Sequence, residues 1–332
     1  MGPKLEDYMT NWTHLDPALF SENSIAADTR AVIDAVEKIM GALPATETRD
    51  PKELREERRK GGGSLPLPPL SDQAATRTIP GPAGEIPLRI IAPDNPDGCF
   101  LYLHGGGWTL GSADGQDPLL EAVAKHANLA CLSVEYRLAP EDPYPAGPDD
   151  CETAALWLAQ NAKAEWGTER LLIGGASAGA HLAAVTLLRM RDKHGVQPFC
   201  GASLSYGCYD LNMTPSMCNW GDRPLILTTP LVTWFCDNFL PPETFDAVTR
   251  TNPDISPLYA DLAGLPPAHF QVGTLDPLLD DNLFMYGRWT AAGNEAVLDI
   301  APGGIHGFNA FPCELTTEMN AKAIAFLATT GK

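Results

Sequence analysis

The chain has 332 residues, 44% of them apolar and 20% charged, with a net charge of −19. That length exceeds one minimal domain and suits a large α/β domain with an added cap, and the apolar share supports a large core. The negative charge argues against nucleic-acid binding, which needs a basic surface, and against docking on anionic membranes. No run reaches the roughly 18 apolar residues of a membrane span, and the polar, acidic N-terminus lacks the pattern of a signal peptide, so no membrane span is expected. The eight cysteines are scattered, without a C-x-x-C pair, and several lie in apolar runs such as Cys99-Phe100-Leu101. They read as buried free thiols in a reducing, cytoplasmic compartment.

Residues 1 to about 60 read as helical, with Ala31, Val32, Ala35, Val36, Ile39 and Met40 at helical spacing and Pro44 as a stop. Lys52–Lys60 is a charged run, expected to be a solvated helix face. Gly61-Gly62-Gly63-Ser64 and the prolines after it read as a linker, since no Gly-Lys-Ser/Thr follows to make a phosphate loop. From about residue 75, short β-like runs alternate with helix-like ones. The expected strands are 76–79, 86–92, 99–103, 129–134, 170–173, 202–205, 268–272 and 296–300. The expected helices are 118–126, 150–164, 178–193, 278–292 and 316–328. Continuous apolar strands between helices mean an α/β fold with a mostly parallel sheet covered on both faces; the first two strands, close in sequence, suit an antiparallel edge. Residues 207–255 break the alternation and are rich in Trp, Phe, Pro and Asn, including Trp220, Trp234, Phe235 and Phe239, which fits a cap insertion. The boundaries drawn are therefore 1–70 for an N-terminal cap segment and linker, 71–206 with 256–332 for the catalytic domain, and 207–255 for the cap insertion.

Gly175-Ala176-Ser177-Ala178-Gly179 is a G-x-S-x-G between the apolar run 171–173 and a helix-like segment. In that context the serine is held on a strained turn with its hydroxyl exposed. His104-Gly105-Gly106-Gly107-Trp108 follows the third expected strand, and such glycines let backbone N–H groups point at a developing oxyanion. A serine nucleophile also needs a base and an orienting acid. Of seven histidines, His306 sits in the loop after the last expected strand and is the expected base. His104 belongs to the glycine loop, His181 lies one helical turn past Ser177, His126 and His194 end helices, His269 opens a strand and His14 lies in the N-terminal segment. Asp276, just after a strand, is the expected acid, with Asp280 the weaker choice; Asp280 or Asp281 is expected to hold site loops instead. The order Ser177, Asp276, His306 is that of the α/β-hydrolases.

With these motifs, the chain resembles the hormone-sensitive-lipase-like (bacterial family IV) esterases of the α/β-hydrolase superfamily. The resemblance rests on His104–Trp108, Glu135-Tyr136-Arg137-Leu138-Ala139-Pro140-Glu141 with Tyr144-Pro145-Ala146, Gly175–Gly179, Asp276-Pro277-Leu278 and His306-Gly307-Phe308, in the family's order. It implies an α/β-hydrolase fold, with an eight-stranded sheet flanked by helices and a helical cap, and carboxylic-ester hydrolysis of short-to-medium acyl esters. Ser177 would be the nucleophile, His306 the base, Asp276 the orienting acid, and the amides of Gly106, Gly107 and Ala178 the oxyanion hole. It implies no metal and no organic cofactor, a small-molecule ester as partner and, by analogy, a homodimer through the last strand and helix. Tyr136 and Arg137 are expected to be structural. One departure stands out: many relatives carry Asp or Thr where this chain has Ala176, and others Gly and Asn where it has Ala180 and His181. The rival functions are an amidase or arylformamidase on the same triad, and a ligand receptor of the same fold. The receptor branch loses the catalytic histidine, and His306 stands against it.

Overall fold

The computed structural model describes residues 15–62 and 68–332. The N-terminal stretch 1–14 and part of the expected linker lie outside the described residues. The chain begins with helices α1 (Ala27–Gly41) and α2 (Pro51–Arg59). Asp50 caps α2 by accepting from the amides of Lys52 and Glu53, and Pro51 supplies a pre-set first helical residue. Eight strands follow, all at the positions the alternating pattern indicates: β1 (Ala75–Gly81), β2 (Gly84–Ile91), β3 (Gly98–Leu103), β4 (Leu129–Val134), β5 (Leu171–Ala176), β6 (Phe199–Ser205), β7 (Ala268–Leu275) and β8 (Ala296–Ile305). They form one sheet in the order β1-β2-β4-β3-β5-β6-β7-β8. The β1–β2 hairpin and the β2–β4 pair are antiparallel; every other pair is parallel.

The inner parallel strands β3, β4 and β5 are mostly apolar and fully buried because helices cover both faces. On one face α3 (Asp117–Ala127) and α9 (Glu314–Thr329) bring Leu120, Val123 and Leu327 onto Phe100, Tyr102 and Leu172. On the other, α4 (Ala146–Trp166), α5 (Ala178–Asp192) and α8 (Leu279–Ala291) bury Leu158, Leu182 and Trp289 against Leu101, Ile173 and Phe270. Gly179 makes the contact between α5 and β3 possible: a Cβ there would lie 1.9 Å from the carbonyl oxygen of Leu103.

Between β6 and β7 the segment expected as an insertion folds into α6 (Pro215–Trp220), α7 (Thr229–Phe239) and short turns. It meets the N-terminal helices through the Arg223–Glu37 ion pair and through Leu225, which packs with Ile33 and Val36 of α1. The largest departures from the expected boundaries are at α4 and β8. Helix α4 starts at Ala146, ahead of the first strongly helical residues. Strand β8 runs on to Ile305 through Pro302-Gly303-Gly304, which reads as a turn in sequence. It persists because a register irregularity at Gly273/Leu275 lets Leu275 pair with Ile305, while Thr274 Oγ1 accepts from the amide of Gly303. The charged run of α2 is also more than a solvated face. Arg55 reaches inward to donate to the carbonyls of Thr109 (2.7 Å) and Ala139 (3.3 Å) and pairs with Glu141.

Candidate active site

The carboxyl ends of the parallel strands share one edge, where the chain leaves each strand and side chains can converge. β5 ends at Ala176, and Ser177 follows at φ 58°, ψ −123°, a strained backbone for a residue with a Cβ. The turn is held by its own amide: Ser177 N–H donates to the carbonyl of Ser205 on the neighbouring strand at 2.9 Å. β7 ends at Leu275 and presents Asp276. β8 ends at Ile305 and presents His306. The three side chains meet. His306 Nε2 lies 2.9 Å from Ser177 Oγ, and His306 Nδ1 lies 2.9 Å from Asp276 Oδ2. A carboxylate accepts only, so Nδ1 carries the proton and Nε2 is left free to accept from the serine hydroxyl. The second carboxylate oxygen of Asp276 accepts from the Leu278 amide at 2.9 Å, which fixes its rotation. Asp276 is 2% exposed and His306 6%, so water does not compete strongly for this relay.

The glycine loop stands opposite the serine. Gly106 (φ 121°) and Gly107 (φ 58°) take left-handed backbones, and Trp108 follows at φ 57°. A side chain at Gly107 would collide with the Phe235 ring of α7, 2.2 Å from its Cβ position. The Gly106 carbonyl accepts from Leu110 (2.7 Å) and Thr109 (3.2 Å), closing the turn. Among the described hydrogen bonds, the amides of Gly106, Gly107 and Ala178 have no acceptor. Ala178 is the first residue of α5, where the helix leaves amides unpaired and partially positive.

His104 shapes this loop. Its Nδ1 lies 2.9 Å from the Gly105 carbonyl, its ring stacks on Tyr136 at 4.1 Å, and its carbonyl accepts the Tyr136 hydroxyl at 2.7 Å. Burial pushes its pKa down to about 4. Arg137 pairs with Asp150 at 2.9 Å and so fixes the following loop against α4. Neither Tyr136 nor Arg137 contacts the serine relay.

The other residues considered from sequence fall elsewhere. Asp280 accepts the amide of Ser216, and buried Asp281 accepts the amides of Tyr209 and Asp210 and the Thr214 hydroxyl, so both hold the start of the segment after β6. His269 pairs with Asp299 across β7 and β8, and His194 with Glu152. His126 lies in the last turn of α3. His14 lies outside the described residues. His181 is fully buried and bonded to Trp108 and Ile255, away from the serine hydroxyl.

Ala176 packs its methyl group among Tyr206, Val272, Ala301 and Phe308. Those neighbours are apolar faces, which accounts for a methyl group where a polar side chain would need partners. Tyr206 is the residue sequence reading passed over. It follows β6 directly, stands edge-on to His306 at 4.9 Å between ring centres, and donates its hydroxyl to Asn309 at 2.6 Å. Its place after a strand end was the available signal.

Among the described residues, no group of three or more His, Cys, Asp or Glu is arranged to hold a metal ion, and no helix is long and apolar enough to cross a membrane. The pattern of the α/β-hydrolase fold family matches residues 100–310. The chain is 35% identical over 254 residues to the carboxylic ester hydrolase LipN of Mycobacterium tuberculosis, covering 74% of this chain and 66% of LipN. It is 38% identical over 232 residues to the carboxylesterase NlhH of the same species, covering 68% of this chain and 71% of NlhH. Its fold superposes on the hyperthermophilic esterase of Pyrobaculum calidifontis with a TM-score of 0.81 and 30% identity, covering 90% of this chain and 97% of that one. The chain belongs to the α/β-hydrolase family, in the hormone-sensitive-lipase-like esterase group.

Proposed function

We propose that this protein hydrolyses carboxylic esters with short-to-medium acyl chains through an acyl-serine intermediate. The observation that carries the reading is the unbroken relay from Ser177 Oγ through His306 to Asp276, facing three unpaired amides. Ser177 attacks the ester carbonyl as His306 Nε2 takes its proton. The developing oxyanion lies against the amides of Gly106, Gly107 and Ala178, each such donor being worth roughly 3 kcal/mol of barrier. The imidazolium is stabilised by Asp276 and then protonates the leaving alcohol. Water enters, gives its proton to His306, and releases the acid and the free serine by the same steps. No metal and no organic cofactor enters this scheme. The names of LipN and NlhH support an ester as the substrate class.

The N-terminal helices and the 207–255 segment together act as a cap. Phe235 beside Gly107 and Phe239 on Trp108 set rings against the amide-bearing loop, and a ring-rich cap of this kind suits short acyl chains. The test is a panel of p-nitrophenyl esters from C2 to C16 beside matched anilides and N-formyl anilides. The expected result is a maximum kcat/KM near C4, with anilides far slower. A higher value for C12–C16 than for C4 would refute the chain-length reading, and faster anilide cleavage would favour the amidase.

The eight unpaired thiols support a cytoplasmic location. A homodimer joined along β8 and α9 is also proposed. β8 ends the sheet order, and Val297 on it is 52% exposed. A monomer mass in light scattering at working concentration would refute it.

A further inference from the structure

We propose that His181 is a positioning residue for the amide-bearing glycine loop, clamping Trp108 of that loop to the far end of the cap segment at Ile255. The inference rests on the reading that the amides of Gly106 and Gly107 hold an oxyanion.

The argument starts from donors and acceptors. The indole N–H of Trp108 can only donate, and it lies 3.0 Å from His181 Nδ1. The carbonyl of Ile255 can only accept, and it lies 2.7 Å from His181 Nε2. One tautomer satisfies both: Nδ1 bare and Nε2 protonated. A second proton has nowhere to go, and the ring is fully buried beside the stacked pair of Trp108 and Phe239, edge-on to both. The charged groups facing it are Asp254 and Arg189, which pair with each other at 2.6 Å and oppose each other's influence. Burial outweighs both and holds the ring's pKa down near 4, so it is neutral through the working range.

Three parts of the site meet at this ring. His181 lies on α5, one turn beyond Ser177, so its position is fixed relative to the nucleophile. Trp108 is the third consecutive left-handed residue of the glycine loop, a conformation an aromatic residue does not hold unaided. What holds it is the bond to His181, the stack on Phe239 (4.9 Å, 12°), and the Ala139 amide donated to its carbonyl at 2.9 Å. Ile255 closes the cap segment and is anchored beside it by Asp254 on Arg189. Freeing the indole lets Trp108 relax, and Gly106 and Gly107 turn with it. The amides then lose their aim at the oxyanion while the groups that bind the ground state stay in place. The loss therefore falls on kcat and not on KM.

The test uses the full-length enzyme with His181→Phe, His181→Asn, Trp108→Phe and the His181→Phe/Trp108→Phe double variant. Turnover of p-nitrophenyl butyrate is measured beside inhibition by a trifluoromethyl ketone, whose adduct carries the oxyanion. For His181→Phe the expected kcat is about 30-fold lower, with KM within about threefold and the ketone about 30-fold weaker, in line with the cost of misaimed donors. Trp108→Phe should match it, and the double variant should be no worse than either, because both act through one bond. Asn at 181 offers an acceptor and a donor, so it should recover most of the loss. Losses that multiply in the double variant, a loss carried by KM, or His181→Phe turning over within threefold of wild type would each overturn the proposal. Should His181→Phe not fold, Trp108→Phe and His181→Asn decide alone: an unchanged kcat and ketone affinity in Trp108→Phe would overturn it. A wild-type protein without ester turnover would defeat the esterase reading instead. The clamp is then judged by proton exchange of the Trp108 indole N–H, slow in wild type and fast in His181→Phe if it exists, equally fast in both if it does not.

Discussion

Asp276→Asn tests the relay at the point where geometry alone dictates the outcome. In the native site one oxygen of Asp276 accepts the Leu278 amide at 2.9 Å, and the other faces His306 Nδ1 at 2.9 Å. Asparagine has one oxygen and one NH2. The Leu278 amide holds the oxygen on its side, which turns the NH2 toward His306. Nδ1 must then accept, so the ring proton moves to Nε2 and points at Ser177 Oγ, 2.9 Å away. The base is now occupied by a proton at the atom that should receive one. Because Asp276 is 2% exposed, water does not restore the native tautomer, and the buried negative charge that stabilises imidazolium is gone as well. A wrong tautomer in such a relay costs about 10⁴-fold in kcat, equivalent to about 5.5 kcal/mol of barrier. KM should stay within a few-fold, since the carboxylate does not touch the ester. The assay is initial-rate turnover of p-nitrophenyl butyrate, with thermal unfolding to confirm the fold. Asp280→Asn is the control: Asp280 accepts the Ser216 amide and lies outside the relay, so its kcat should stay within about threefold. A kcat above about 1% of wild type for Asp276→Asn, or a larger loss in Asp280→Asn, would refute the reasoning.

Three further outcomes are expected. Ala176→Asp should lower stability by about 3 kcal/mol in urea unfolding, because a carboxylate would enter a pocket walled by Val272, Ala301 and Phe308; a neutral or stabilising result would mean that a donor waits there. Gly179→Ala should cost about 3 kcal/mol or more, since its Cβ would meet backbone, the Leu103 carbonyl, at 1.9 Å, and soluble protein of native Tm would show that β3 and α5 can separate cheaply. Stability should also fall as pH drops from about 6.5 to about 4. His104 and His181 are both pushed down to about 4 by burial, so in that window the unfolded chain binds their protons and the folded one does not. Each contributes up to roughly 3 kcal/mol at neutral pH that is gone below the window. A urea midpoint flat over that range would contradict it, and His181→Phe should remove part of the slope.

The parts of this molecule that were legible in sequence are those in which chemistry is written into contiguous residues. The serine turn, the glycine loop and the Asp276 and His306 loops each follow an apolar run, and each run is a strand of one sheet, so order along the chain translated directly into placement at one edge. The extension of β8 through Pro302-Gly303-Gly304 was not legible, because its pairing depends on a bulge in the neighbouring strand. Arg55 was not legible either. Its run looks uniformly charged, and only the fold brings the Thr109 and Ala139 carbonyls within its reach. His181 illustrates the same limit for function. One turn past Ser177 it has the chemistry of a base, and sequence spacing alone does not say which way its ring turns. The ring turns inward because Trp108 and Ile255 offer it one donor and one acceptor. Those partners lie 73 and 74 positions away along the chain, so they came from separate stretches of sequence and were joined only by folding. The residues proposed to do the chemistry are marked by local signals, while the contacts that aim them are long-range and form only on folding.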